Sequence, residues 1–158
     1  MTTSNPPDGP DRPIEDLSTY LGAGITELFN ALDKAMAQEV APHGITNLEY
    51  DLLWYCMEGE RTATELAQVL PVDGSRISRL VTGLVDRGLL RRRRLRSDRR
   101  IVMLSLTDEG RETTSGIFEN MQRYYAMLTE EIGEEELRVF ASVTARIVAK
   151  HAAVQGSE

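Results

Sequence analysis

The chain has 158 residues, 41% of them hydrophobic, and 25 acidic against 18 basic side chains give it a formal net charge of -7 at pH 7. That is enough apolar material for one core of ordinary size, which excludes disorder throughout. The single cysteine, Cys56, excludes an intramolecular disulfide and any multi-cysteine zinc site, and no apolar run approaches the roughly 18 residues of a membrane span.

The polar, Pro-rich opening "MTTSNPPDGPDRP" is neither signal peptide nor anchor, and residues 1 to 12 read as a disordered tail on a soluble, cytoplasmic protein. Leu17, Leu21, Ile25, Leu28, Leu32 and Met36 then recur at spacings of three and four, the apolar stripe of a long helix over residues 14 to 40 that ends at "APHG". Thr46 and Glu49 form a capping-box pattern opening a second helix to about Glu58. Thr62 and Glu65 repeat it for a third helix that stops before Pro71. Asp73 as N-cap and Gly88 as left-handed exit bound a fourth helix over 74 to 87. Turning 100° per residue places Ile77, Leu80, Val81, Leu84 and Val85 on one side of it, with Ser75, Arg79, Thr82 and Asp86 opposite.

After Gly88 the period changes. "RRRRLR", "SDR" and the aliphatic "RIVMLSL" predict a β-hairpin, with Arg91 to Arg96 in its first strand and its tip at Ser97 to Arg99. Thr107, followed by Asp108 and Glu109, caps a fifth helix carrying Ile117, Met121, Tyr124 and Leu128. Gly133 breaks the pattern, and Leu137, Phe140, Thr144, Ile147 and His151 mark a sixth helix to about residue 152, with 153 to 158 as a tail. "EEIGEEE" lacks the alternating ligand spacing of a calcium loop and reads as solvated helix ends. No metal site and no cofactor are expected.

Charge is concentrated in one place. Residues 76 to 100 hold ten arginines against Asp86 and Asp98, a net +8 that leaves -15 for the remainder. A basic patch on an otherwise repelling body is the footprint of a face that meets a polyanion. Two short helices joined by a tight turn, the second with a basic N-terminal face, followed by an arginine-bearing hairpin, have the layout of a winged helix-turn-helix. The fold class is therefore mainly α with a small β-hairpin wing. Residues 46 to 106 would form the DNA-binding lobe within a single domain over 13 to 152. The long helices in 13 to 45 and 107 to 152, whose stripes so small a module cannot bury, would form a homodimerisation region.

This ordered set of motifs resembles the MarR (multiple-antibiotic-resistance regulator) family of transcription factors. The family's wing pattern, D-x-R followed by L-T-x-x-G, appears as Asp98, Arg100, Leu106, Thr107 and Gly110, and "SRISRLVTGLVDRGLLRR" is similar to its recognition helix and exit. The resemblance covers about residues 14 to 150 and implies a homodimeric repressor of a palindromic operator in double-stranded DNA. On it, Ser75, Arg76, Ser78 and Arg79 of the recognition helix would reach bases or phosphates, and Arg94, Arg96, Asp98, Arg99 and Arg100 would serve the wing. Arg100 would enter the minor groove. Asp98 would either hold an arginine through a charge-assisted pair or simply favour the turn. Arg91 to Arg94 and Arg96 are assigned to phosphates.

Family members bind small aromatic or lipophilic anions in a crevice between the dimer-forming helices and the DNA-binding lobe. Tyr20, Met36, His43, Tyr50, Trp54, Met121, Tyr124 and Tyr125 are the candidates here, against the alternative that they are core or dimer contacts. Cys56 lacks a nearby base and a resolving partner and reads as structural. An enzyme is disfavoured, because neither His43 nor His151 sits in a nucleophile or metal motif and no Gly-rich phosphate loop occurs. The remaining alternative is an architectural DNA- or RNA-binding module without a regulatory input.

Overall fold

The computed structural model describes the backbone of residues 14–155 and the side chains of residues 21–154. In chain order the elements are α1 (Ile14–Val40), a 3-10 turn (Ala41–His43), α2 (Asn47–Tyr55), β1 (Arg61–Thr62), α3 (Ala63–Val69), α4 (Gly74–Asp86), β2 (Leu90–Arg94), β3 (Val102–Leu106), α5 (Asp108–Leu128) and α6 (Glu134–Gln155). Two compact units result, one ending at Phe118 and one beginning at Glu119, so that their boundary falls inside α5.

The first unit is built around one core, in which Leu52, Leu53, Leu66, Ile77, Leu84, Leu90, Leu104 and Ile117 are fully buried. Its helix starts follow the sequence closely. Thr46 and Glu49 form a complete capping box, and so do Thr62 and Glu65. The Glu65 carboxyl is held below its usual range by the backbone N–H and hydroxyl of Thr62. The apolar side of α4 lies inward as its periodicity requires, with Ile77, Val81 and Leu84 buried.

Two helix ends and the make-up of the wing sheet differ from expectation. The second helix ends at Tyr55, not near Glu58, because the Cys56 N–H is shared between the carbonyls of Leu52 and Leu53 and the Met57 N–H returns to Trp54, tightening the last turn. α6 continues through Gln155, past the expected end at 152. The wing sheet has three strands, in the order β1-β3-β2, all antiparallel. β1 is two residues long, too short for any alternation to show in the sequence. Thr62 enters it because an N-cap already has extended backbone angles, here φ -91° and ψ 159°.

The second unit consists of the remainder of α5 and all of α6. Between them the Ile132 N–H bonds to the Thr129 carbonyl, and the Glu136 carboxylate accepts the Gly133 N–H at 3.0 Å, which caps α6. Among the described residues no helix is long and apolar enough to cross a membrane.

Candidate nucleic-acid interface

The N-terminus of α4 is organised by Asp73. Its Oδ1 accepts the Arg76 N–H at 2.8 Å and the Ser75 hydroxyl at 2.7 Å. These bonds, the serine's foremost, hold the Asp73 carboxyl below the usual carboxylate range. The Ser78 hydroxyl donates to the Gly74 carbonyl at 2.9 Å. Both serines have therefore committed their only hydroxyl hydrogen inside the protein and offer outward lone pairs, suited to accepting from cytosine N4 or adenine N6. Arg76 and Arg79 are exposed, form no ion pair among the described residues, and flank a cleft of about 470 Å³ with Glu49 and Leu80. All four residues singled out on this helix thus share its exposed N-terminal end.

In the wing, the arginine run is divided by the two-residue period of a strand. Arg91 and Arg93 lie opposite Ser105 and Met103 on one face, and Arg92 and Arg94 lie opposite Leu104 and Val102 on the other. Three of the four are occupied within the protein, a use the sequence reading, which gave them to phosphates, did not foresee. Arg91 Nε donates to Ser105 Oγ at 3.0 Å, and Arg92 Nη2 donates to Thr82 Oγ1 on α4 at 2.7 Å. Arg93 forms a two-pronged ion pair with Glu60, whose carboxyl it holds below the usual range.

β2 ends at Arg94, so Arg96 belongs to the loop and not to the first strand as expected. The tight turn also sits one residue later than the predicted tip: the Leu95 N–H bonds to the Ile101 carbonyl, and the Ile101 N–H returns to the Asp98 carbonyl. Asp98 Oδ1 accepts the Arg100 backbone N–H at 2.9 Å, fixing the turn, and the ion pairs among the described residues do not include it. Arg94, Leu95, Arg96 and Arg99 line a basic hollow of about 500 Å³ beside this turn, and Arg100 is exposed on it.

At the joint between α4 and the wing, Gly88 is the left-handed exit and Thr107 the cap expected from the sequence, whereas the bonds that Thr107 and Arg87 make to distant residues are additions. Gly88, at φ 74°, closes α4 in a Schellman arrangement, with the Leu89 N–H on the Leu84 carbonyl and the Gly88 N–H on Val85. The Thr107 hydroxyl donates to the Gly88 carbonyl at 2.6 Å and accepts the Gly110 N–H at 2.9 Å. Arg87 bonds the carbonyls of Gly83 and Gly44 and the Glu49 carboxylate, which is also the capping-box acid of α2. Arg87 therefore belongs to the scaffold and not to the free positive charge.

Of the aromatic candidates, the side chain of Tyr20 lies outside the described residues. Met36 packs on the core and His43 is exposed. Buried Tyr50 stacks on Trp54 at a centroid distance of 6.3 Å, and Trp54 on Phe118 at 4.7 Å, with Trp54 and Phe118 each 37% exposed. Phe118, which the sequence reading passed over, completes that stack. Met121, which is buried, and Tyr124, whose ring lies 6.2 Å from that of Tyr125, belong to the second unit.

Cys56 is 1% exposed, and burial, only partly offset by Arg61, pushes its thiol up to about 11. Thiolate is thus scarce at neutral pH. Native protein at pH 8 is expected to leave an aromatic disulfide reagent unreacted until denaturant is added; prompt release of one equivalent of thiolate would contradict the buried, neutral assignment.

Comparison with known proteins agrees with this architecture. A family model described as the MarR family matches residues 43–101. The HTH-type transcriptional repressor MdtR of Bacillus subtilis is 28% identical over 138 residues, 84% of this chain and 86% of its own. The transcriptional repressor CouR, solved bound to a 23-mer DNA duplex, is 28% identical with a TM-score of 0.72, covering 88% of this chain and 99% of CouR. A mutant MarR from E. coli complexed with operator DNA superposes with a TM-score of 0.70 at 22% identity, over 86% of this chain and 99% of its own. Residues 43–101 thus match the MarR family, and the helix-turn-helix with its arginine-bearing wing is similar in sequence and fold to the winged helix-turn-helix transcriptional regulators of that family.

Proposed function

We propose that the protein works in the cytoplasm as a homodimeric repressor on an inverted-repeat operator, each protomer placing α4 in the major groove and its wing over the adjacent minor groove. One observation carries this reading. Arg76, Arg79, Arg91, Arg92, Arg94, Arg96, Arg99 and Arg100 are all exposed, and among the described residues none is ion-paired to an acid. Once Arg87 and Arg93 are set aside as paired, the positive charge left on this stretch belongs to the exposed side of α4 and the wing. Phosphates would hold the register, while Arg76 and Arg79, with Ser75 and Ser78, would meet base edges. Asp98 would orient Arg100 through its backbone.

Dimerisation is supported by exposed apolar side chains on α1, namely Leu21, Ile25, Leu28 and Phe29, and on α6. The exposed edge of the Tyr50–Trp54–Phe118 stack offers a small aromatic or lipophilic anion a surface to bind, and its occupation would release DNA. The repressor's name borne by MdtR agrees with negative control.

The test is operator binding as a function of salt. The logarithm of affinity should fall linearly with the logarithm of salt concentration, by about 0.9 for each phosphate neutralised. Arg100→Ala should weaken binding about tenfold without lowering the melting temperature, a loss within the usual range for one charged groove contact. Affinity unchanged in Arg100→Ala, or binding insensitive to salt and equal on random duplex, would overturn the assignment.

A further inference from the structure

The wing and α4 meet closely only at their base, where Leu90, Leu104 and Leu106 are buried. Further out a cleft of about 390 Å³ opens between them, with Ser78, Thr82, Arg92 and Val102 among its walls. Ala63, Val81 and Leu104 line the rest of it. The Arg92 guanidinium reaches α4 here, donating from Nη2 to Thr82 Oγ1 at 2.7 Å, and among the described residues it is the one polar side-chain link between the outer wing and α4. The direction of this bond is fixed. Thr82 spends its only hydroxyl hydrogen on the Ser78 carbonyl at 2.9 Å, so the oxygen faces the arginine as an acceptor. Ser78 in turn donates to Gly74, and the three bonds run in one sense along the exposed side of α4. On the opposite face of β2, Arg93 is held by Glu60, which precedes β1. Consecutive arginines thus brace the strand on both faces.

We infer that Arg92 is a positioning residue: through Thr82 it fixes the angle of the wing on α4, and so sets the separation at which an operator must present its major-groove and minor-groove elements. This rests on the DNA-binding geometry proposed above. It gives the arginine run an internal division of labour, with Arg92 and Arg93 orienting the wing and the arginines beyond them on β2 and its loop meeting DNA.

The experiment compares wild type, Thr82→Val, Arg92→Ala, the double variant and Arg100→Ala on two operators, one with A·T-rich and one with G·C-rich flanks where the wing lies. Thr82→Val removes the acceptor while preserving shape and every charge. It should bind the A·T-flanked operator about three- to tenfold more weakly, as expected for one lost intramolecular hydrogen bond at an exposed site. Its preference between the two flanks should fall by the same factor, and its salt dependence should match wild type because no phosphate contact is lost. In the Arg92→Ala background Thr82→Val should have no further effect. A mere loss of helix stability would weaken both operators alike and leave the preference intact, which would overturn the inference. So would wild-type binding by Thr82→Val, or additive losses in the double variant. If Arg100→Ala is weakened while Thr82→Val is not, only the positioning inference falls; if both bind as wild type, the wing does not reach DNA and the proposed geometry falls with it.

Discussion

Gly110→Ala will destabilise the protein by several kcal/mol, on the order of 10 °C in melting temperature at 2–4 °C per kcal/mol for a chain of this size. A Cβ built at Gly110 would stand 2.0 Å from the Leu89 carbonyl oxygen and 2.9 Å from its carbon. Neither atom is the yielding end of a side chain. The Leu89 carbonyl already accepts the Thr107 N–H at 3.2 Å, and the preceding carbonyl, of Gly88, holds the Thr107 hydroxyl. To admit a methyl group, the exit of α4 and the start of α5 would have to move apart and break these bonds. Overpacking costs about 1–3 kcal/mol even where side chains can shift. Here the obstacle is backbone, so the cost should exceed the ~1 kcal/mol that Ala gains over Gly in a helix.

Gly116→Ala is the matching control. It lies in the same helix with nothing within 4 Å of its Cβ position, and should stabilise by about 0.5–1 kcal/mol. Thermal melts of the two variants should therefore move in opposite directions. A Gly110→Ala protein as stable as wild type would show that the close approach to Leu89 is not a constraint on folding.

Gly110 also marks where the sequence stopped being informative. The L-T-x-x-G pattern is readable as letters, but its cause, a hydroxyl bridging two elements and a glycine pressed on a carbonyl, needs residues about twenty positions apart brought together. What was legible was local: two capping boxes, the Asp73 cap, the left-handed Gly88 and the apolar side of α4 each depend on a few neighbours in the chain. What was not legible was long-range. The Arg87–Glu49 and Arg93–Glu60 pairs and the Arg92–Thr82 bond are set by strand register and helix placement, and nothing in "RRRR" distinguishes an arginine that braces the fold from one left exposed. Formal charge overstated the footprint for that reason: two of its ten arginines already have carboxylate partners.

The homodimer proposed above predicts that replacing both Phe140 and Ile147 with Asp will leave a monomer at micromolar concentration. On α6, Phe140 is 56% exposed, Val143 39%, Ile147 42% and Val154 55%, at spacings that place them along one side of the helix. Fully burying a large apolar side chain gains about 1.5–3 kcal/mol, and covering the exposed half of each of these gains about half of that. A two-fold interface uses every such residue twice. Four side chains per protomer would then contribute roughly 6–12 kcal/mol before the ~4–15 kcal/mol cost of association. Two aspartates per chain would remove about half of that gain and place four carboxylates in the contact, enough to reverse the balance. Sedimentation should show a single species of half the wild-type mass, with α4 and the wing still folded, because both belong to the unit ending at Phe118. Affinity for an isolated half-site should be retained, whereas affinity for the full inverted repeat should fall by about 10²–10⁴, the advantage conferred by tethering two binding modules. A variant that still sediments as a dimer and holds the full operator like wild type would assign this face of α6 to something other than self-association.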